Sequence, residues 1–415
     1  MEIIRLSEPE AYDIILLYLG FVIMVAAIFP RMLKNYLITA PVAYLLLAVG
    51  VFIFFSESPL PHLAESPYLG KRLAEIGVII SLTAAGLKIR NPLKWKTWRL
   101  AARLLVITMP LTIALTAIFG WVMLGFAPAT AMLLGAVIAP TDPVLASDVQ
   151  TTPPSEDDVS SARLGLTTEA GLNDGLAFPF TNMAIAMAVM GTDPGQWFST
   201  WLYTDFFYKI TVGALTGIVC GWVIAKIFFM CPRPINHNSI INVGLLSLAL
   251  TLIPYGLAEI VSSYGFISVF VAACVFRHQE SVNEYLTAMH DFSEQMERVL
   301  VAVLFTFLAV YISHGFVEDF HLTMIPAGLV MLFIIRPLSG MAGLVKVDLP
   351  ATKKAFISFY GIRGIGSLYY LLYGFYHASF DQADSLLALV VTVMILSVII
   401  HGLTARQAAD KLLPA

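Results

Sequence analysis

The sequence predicts an all-α polytopic membrane protein with inverted repeats and two crossed discontinuous helices. Three observations carry that prediction. Of 415 residues, 58% are hydrophobic and only 13% are charged, whereas soluble domains carry roughly 25% charged residues. The apolar residues gather into runs of bilayer length, ~20 residues each. Two of those runs are interrupted at mid-depth by proline or glycine beside an ionisable residue.

In chain order the spans fall near 12–30, 36–55, 72–89, 100–124, 128–150, 160–190, 205–231, 239–262, 264–278, 296–315, 322–346, 353–376 and 384–404. That is about thirteen transmembrane helices of bilayer length. The first run has no basic segment before it and no small-residue cleavage site, so it reads as a retained span rather than a signal peptide. No sizeable soluble domain is left over, and residues 1–415 read as a single membrane domain. A net charge of −4 gives no reason to expect nucleic acid, and the expected surroundings are lipid. Cys220, Cys231 and Cys274 follow no metal-ligand spacing and read as small membrane-helix residues.

Orientation follows from Lys and Arg in the short loops. Arg31 and Lys34, then Arg90, Lys94, Lys96 and Arg99, then Lys226 and Arg233, then Lys346, Lys353 and Lys354, all fall on one side with Arg406 and Lys411. The opposite loops are poor in bases, apart from Lys71 and Arg72. The N-terminus is therefore expected outside and the C-terminus in the cytoplasm of a prokaryotic inner membrane. The acidic loop with Glu156, Asp157 and Asp158 falls on the cytoplasmic side, because acids count little in this rule. The polar run 277–298 is expected on the cytoplasmic surface, and Glu75 and Lys88 are expected to snorkel from opposite ends of span 3.

The first broken run is "GAVIAPTDPVLASDV", residues 135–149. Pro140 and Pro143 each remove a backbone donor and clash with the preceding turn. Freed backbone groups at membrane depth are tolerated only where protein or a cavity satisfies them. Asp142 before Pro143 also fits the cap of a second half-helix. The second broken run is "FYGIRGIGSLYY", residues 359–370, where Gly361, Gly364 and Gly366 surround Arg363. The two runs are seven spans apart and so cross the membrane in opposite directions. Paired interruptions in two inverted halves point to a transporter's binding site. Half-helix ends carry partial charges: Asp142 suits the positive N-terminal ends and Arg363 the negative C-terminal ends.

Span 6 reads "LGLTTEAGLNDGLAFPF", residues 164–180. Glu169 and Asn173 share a face at i, i+4, and Asp174 is one position round. Gly171 and Gly175 form a G-x-x-x-G suited to close helix approach. A structural ion pair with Arg363 is expected for Glu169. Asp174 has no obvious basic partner, and an unpaired intramembrane carboxylate is by default a functional-site hypothesis. Asp142 and Asp174, with Thr141, Asn173 and water, offer the oxygen ligands that Na⁺ or Li⁺ requires. Burial disfavours a bare carboxylate, so proton and cation compete for Asp174, and exchange follows if it crosses loaded but not empty.

"APTDPVLASDV", "TTEAGLNDGLAFPF" and "FYGIRGIGSLYYL", with weaker support from "YGFISVFVAACVFRH" and "VIIHGLTA", resemble the signature segments of monovalent cation/proton antiporters of the NhaP and sodium/hydrogen-exchanger type. The resemblance covers essentially the whole chain. It implies thirteen helices with crossed, broken helices 5 and 12, and a homodimer. It implies Asp174 as the exchanging carboxylate, Asp142 and Thr141 at the crossing, Asn173 beside Asp174, and Glu169 paired with Arg363. The Asn-Asp order is similar to the electroneutral branch. It implies a transporter rather than an enzyme, moving Na⁺ or Li⁺ against H⁺ without a cofactor. Some relatives carry a hydroxyl directly after the glutamate; here it is Ala170, so that ligand is missing or is replaced by water or by Thr168.

Arg336 and Glu259 are also intramembrane by hydropathy and read as structural. His401 lies within span 13, and His278 and His290 precede span 10. An intramembrane aspartyl protease on Asp142 and Asp174 lacks the G-x-G-D motif, since the sequence reads Leu172-Asn173-Asp174-Gly175, and leaves Arg363 without a role. A passive channel would conduct without moving protons. A K⁺/H⁺ antiporter is the alternative within the same class.

Overall fold

The computed structural model describes residues 11–32, 40–54, 67–142, 161–230, 240–279, 283–314 and 316–412. Among them every regular element is helical. The helices are α1 (Ala11–Met32), α2 (Ala40–Phe54) and α3 (Pro67–Leu87); α4 (Trp95–Val122), α5 (Pro128–Ile138) and α6 (Ser161–Met190); α7 (Pro194–Phe228), α8 (Ile240–Ile260), α9 (Gly265–Gln279) and α10 (Asn283–His314); α11 (Met324–Gly343), α12 (Ala351–Phe359), α13 (Ile365–His377) and α14 (Ala383–Leu412). Five of them are long and apolar enough to cross a membrane by themselves: α4, α7, part of α8, α11 and α14.

The sequence explains how prolines are accommodated inside these rods. Pro110 and Pro337 cannot donate to the preceding turn. In α4 and α11 the turn just before each proline widens to a π-helix, at Leu104–Thr108 and Met331–Ile335. The two widened segments belong to one contact region, where Arg103 Nε donates to the Gly343 carbonyl at 2.8 Å. α7 starts at Pro194, ahead of the predicted 205, because Asp193 caps it: its carboxylate accepts from the Gly195 N–H at 3.0 Å.

α6 runs through the interior. It packs between α5, α9 and α13, while α10 lies against α1, α2 and α3. The G-x-x-x-G expectation holds. A Cβ on Gly171 would meet the Phe270 ring at 2.0 Å, and one on Gly175 would meet Ile267 at 2.3 Å. α6 and α9 therefore approach at backbone distance. Phe178 of α6 stacks on Tyr264 at 5.1 Å and meets Phe266 edge-on at 5.0 Å. Large apolar side chains such as Leu17, Val106, Tyr203 and Ile260 face outward, as lipid contact requires.

Two sequence expectations fail here. The polar run 277–298 is not a surface segment: from Asn283 it is already α10, and His290, Ser293 and Glu297 are buried. They recur at helical spacing on the face that continues as Val301 and Leu304, so the helix carries them inward with its apolar stripe. Glu75 does not snorkel either. It is buried, bonded to Arg72 at 2.6 Å and to the Tyr255 hydroxyl. Cys220 and Cys274 are buried and free. Cys231, Pro143 and the acidic loop 156–158 lie outside the described residues.

Candidate functional site

The two breaks meet. α5 ends at Ile138, and residues 139–142 leave helical geometry. Between α12 and α13, residues 360–364 do the same. Backbone joins them: the Asp142 N–H donates to the Ile362 carbonyl at 2.8 Å. Asp142 Oδ2 accepts from the Ile365 N–H at 2.7 Å. Asp142 therefore caps the other broken helix, α13. A carboxylate at a helix N-terminus is favourable both through the hydrogen bond and through the dipole.

Arg363 fills the complementary role. Its Nε donates to the Ile138 carbonyl, the C-terminal end of α5, at 2.6 Å. Its Nη1 bonds the Gly361 carbonyl, and its backbone N–H donates to Ser397 Oγ at 2.8 Å. The negative half-helix ends thus face a guanidinium, as their dipoles favour. Ser397 Oγ is in turn 3.0 Å from His401 Nδ1. The expected division, with acid at the N-terminal end and base at the C-terminal ends, is met by these contacts.

The expected Glu169–Arg363 ion pair is corrected. Glu169 is bound by Arg336 of α11, with Nη2 at 2.8 Å from Oε1 and 3.1 Å from Oε2. All three side chains are about 1% exposed. The physical reason is local. Arg363 sits inside a helix break and is drawn to carbonyls that have lost their amide donors. Arg336 follows the π turn of α11, beside an intact α6, where the carboxylate is the available acceptor.

Asn173 Nδ2 donates to Thr141 Oγ1 at 2.7 Å, tying α6 to the first break, and among the described residues Asn173 Oδ1 is buried without a hydrogen-bond partner. Asp174 is 1% exposed, and its Oδ1 likewise has no hydrogen-bond partner among the described residues. Its backbone carbonyl accepts from the Tyr370 hydroxyl at 2.6 Å. A Cβ on Gly366 would lie 3.0 Å from Asp174 Oδ1, so the carboxylate rests against the first turn of α13. Near Ala170, the Thr168 Oγ1 donates to the Leu164 and Gly165 carbonyls of its own helix, at 2.8 and 3.1 Å.

Asp142 and Asp174 line one narrow pocket with Gly77, Val78 and Ser81 of α3, Glu297 and Val301 of α10, and Ile365. Sequence reasoning did not assign Tyr370, Ser81 or Glu297 to the site. Only Glu297 left a signal, in the helical spacing of His290, Ser293, Glu297 and Val301.

Crossed broken helices around buried, charge-compensated polar groups are the architecture of a secondary transporter. The chain belongs to the sodium/hydrogen exchanger transmembrane family, whose model matches residues 20–411. It is 28% identical over 183 residues to Na(+)/H(+) antiporter 2 of Zygosaccharomyces rouxii, a match spanning 43% of this chain and 23% of that protein's length. It is 22% identical over 361 residues to the K(+)/H(+) antiporter NhaP of Alkalimonas amylolytica, covering 86% of this chain and 59% of that one. Its fold is similar to that of the sodium proton antiporter MjNhaP1 of Methanocaldococcus jannaschii at pH 8, with TM-score 0.72, 18% identity, and coverage of 98% of this chain and 100% of that one.

Proposed function

We propose that this chain is one transport domain that exchanges Na⁺, or Li⁺, for H⁺ across the membrane, one for one. The observation that supports this best is the Asp174 carboxylate: buried, with an unpartnered oxygen, in a cavity it shares with Asp142. A bare charge there is costly. Bound proton or bound cation each removes that cost, so the loaded carboxylate crosses and the empty one does not. Asp142, Thr141 and Asn173 are the neighbouring oxygen donors for the cation.

The contacts of the other charges at the crossing support one-for-one exchange. Glu169 is matched by Arg336, Arg363 is held by the carbonyls it binds, and Asp142 by the α13 amide. Asp174 is the acid at the crossing best placed to change partner. The loop charges favour an N-terminus outside and a C-terminus in the cytoplasm of a prokaryotic inner membrane, and the resemblance favours a homodimer. A K⁺/H⁺ exchanger is the second reading, favoured by the similarity to the Alkalimonas amylolytica antiporter.

Proteoliposomes with a trapped pH dye test this. A pH gradient is imposed, and Na⁺, Li⁺ or K⁺ is added in turn, with the potential clamped in the Na⁺ and Li⁺ runs. Dissipation by Na⁺ or Li⁺ that is indifferent to the potential is expected. Dissipation by K⁺ alone keeps antiport and changes the cargo, and no cation-dependent proton movement rejects the reading.

A further inference from the structure

The cavity beside Asp174 has a second acidic wall that antiport through Asp174 alone leaves unused. Glu297 is 5% exposed, well inside α10, and lines the same space as Asp142 and Asp174. An acid in such a position needs compensation or a ligand. Lys88, just past the end of α3, and Asp142 both lie within its electrostatic reach. Glu294, one turn earlier, is held by Arg298 at 2.6 Å. Glu297 is the last polar residue on its stripe, before Val301 and Leu304 close the face.

Across the cavity stands Ser81. Its side chain is buried, its hydroxyl makes no hydrogen bond among the described residues, and it lines the same space. A buried hydroxyl without a partner is costly, so its presence points to something it binds. Gly77, one turn earlier on α3, lines the same space. Ser81, Glu297 and Asp174 thus present oxygens from three different helices to one small volume. That is a donor set for a small monovalent cation shedding its water.

We propose that Glu297 and Ser81 form a loading position for the transported cation, ahead of Asp174. This rests on the antiport reading above. Glu297 and the Ser81 hydroxyl replace part of the cation's hydration shell, and the cation then passes to Asp174 as its proton leaves. Lys88 supplies the balancing charge while the position is vacant. In the orientation read from the loops, this is the cytoplasmic side of the crossing.

The test uses the full chain in proteoliposomes with Na⁺. For Glu297→Gln the apparent KM for Na⁺ is expected to rise at least tenfold, with kcat at saturating Na⁺ within twofold of wild type. Glu297→Asp should recover most of the loss, and Ser81→Ala should raise KM two- to fivefold. A Na⁺ titration of thermal stability in detergent gives a readout that needs no transport: the stabilisation by Na⁺ should shift to higher concentration in Glu297→Gln. Wild-type KM and wild-type Na⁺ stabilisation in Glu297→Gln overturn the proposal. If Glu297→Gln does not fold, Ser81→Ala decides alone, because its hydroxyl holds nothing in place; an unchanged KM there overturns the proposal. A wild-type protein that moves no protons with any cation rejects the antiport reading instead, which is a different failure.

Discussion

Glu169 and Asp174 stand five residues apart on α6, both about 1% exposed, and they are built for opposite ends. Glu169 is gripped on both oxygens by Arg336. Asp174 keeps an oxygen with no protein partner and lies against the first turn of α13. The same carboxylate chemistry on one helix thus serves as a fastener in one place and as an open acceptor in the other. The difference lies in the neighbours. Arg336 supplies a fixed counter-charge, whereas the first turn of α13 offers oriented amides, whose charge is partial and can be shared with an incoming ion.

The sharpest way to break this comparison is to neutralise each acid in turn. Asp174→Asn should abolish cation-dependent proton movement in proteoliposomes, down to the rate of empty vesicles. Its melting temperature should stay at or above that of wild type, since no pairing is lost. Residual exchange at wild-type rate removes Asp174 from the mechanism. A large drop in thermal stability means that the carboxylate is a fastener after all.

The opposite pattern is expected on the Glu169 side. Arg336→Ala leaves a buried carboxylate unpaired, and breaking such a pair costs about 3–5 kcal/mol. Arg363→Ala removes charge-assisted hydrogen bonds to the Ile138 and Gly361 carbonyls, worth about 1.5–3 kcal/mol each, so a loss of similar size is expected. Adding Glu169→Gln separates the two: thermal unfolding should show it restoring much of the stability of Arg336→Ala and none of that of Arg363→Ala. Rescue of Arg363→Ala instead means that the counter-charge of Glu169 is not where these contacts put it.

Packing sets the distance over which the two acids differ. Gly171 sits between them and touches the Phe270 ring. Gly171→Ala forces α6 away from α9 or rotates that ring, at a cost of about 1–3 kcal/mol for overpacking. Exchange should fall through lost stability, and a partial rescue is expected from Phe270→Leu in the same chain. Unchanged melting of Gly171→Ala contradicts the close approach.

Much of this site was legible because its chemistry is local. Proline at 140 and glycine at 361, 364 and 366 mark the breaks whatever surrounds them, and a carboxylate or guanidinium at each break follows the dipole. The spacing of Gly171 and Gly175 gives the close face of α6 directly. The partner of Glu169 was not legible. Arg336 and Arg363 are both intramembrane by hydropathy, and nothing in the chain says which one lies beside residue 169. That choice is made by tertiary register and by the free carbonyls that occupy Arg363. Glu297 was hidden for a different reason. Hydropathy averages a window, so the polar start of α10 read as surface, while the helical spacing that buries one face of it carries the correct message.

That buried polar face gives the smallest expected effect and the last test of the contrast between fastened and open groups. His290 lies in the early turns of α10, ahead of the predicted span, with Nδ1 3.2 Å from Asp291 Oδ1 and Nε2 unpartnered. Burial lowers its pKa below the usual 6.5, outweighing the neighbouring carboxylates of Asp291 and Glu294, while the Lys88 ammonium adds to the lowering. The unfolded chain then binds a proton that the folded chain refuses. Stability from this group is full above about pH 6.5 and declines as the pH falls below it. His290→Gln should flatten the acid side of a melting-temperature profile slightly, with little change at pH 8. A steeper acid decline in the variant would mean that the protonated imidazole is the form held by Asp291, and that this histidine belongs with Glu169 among the fastened groups.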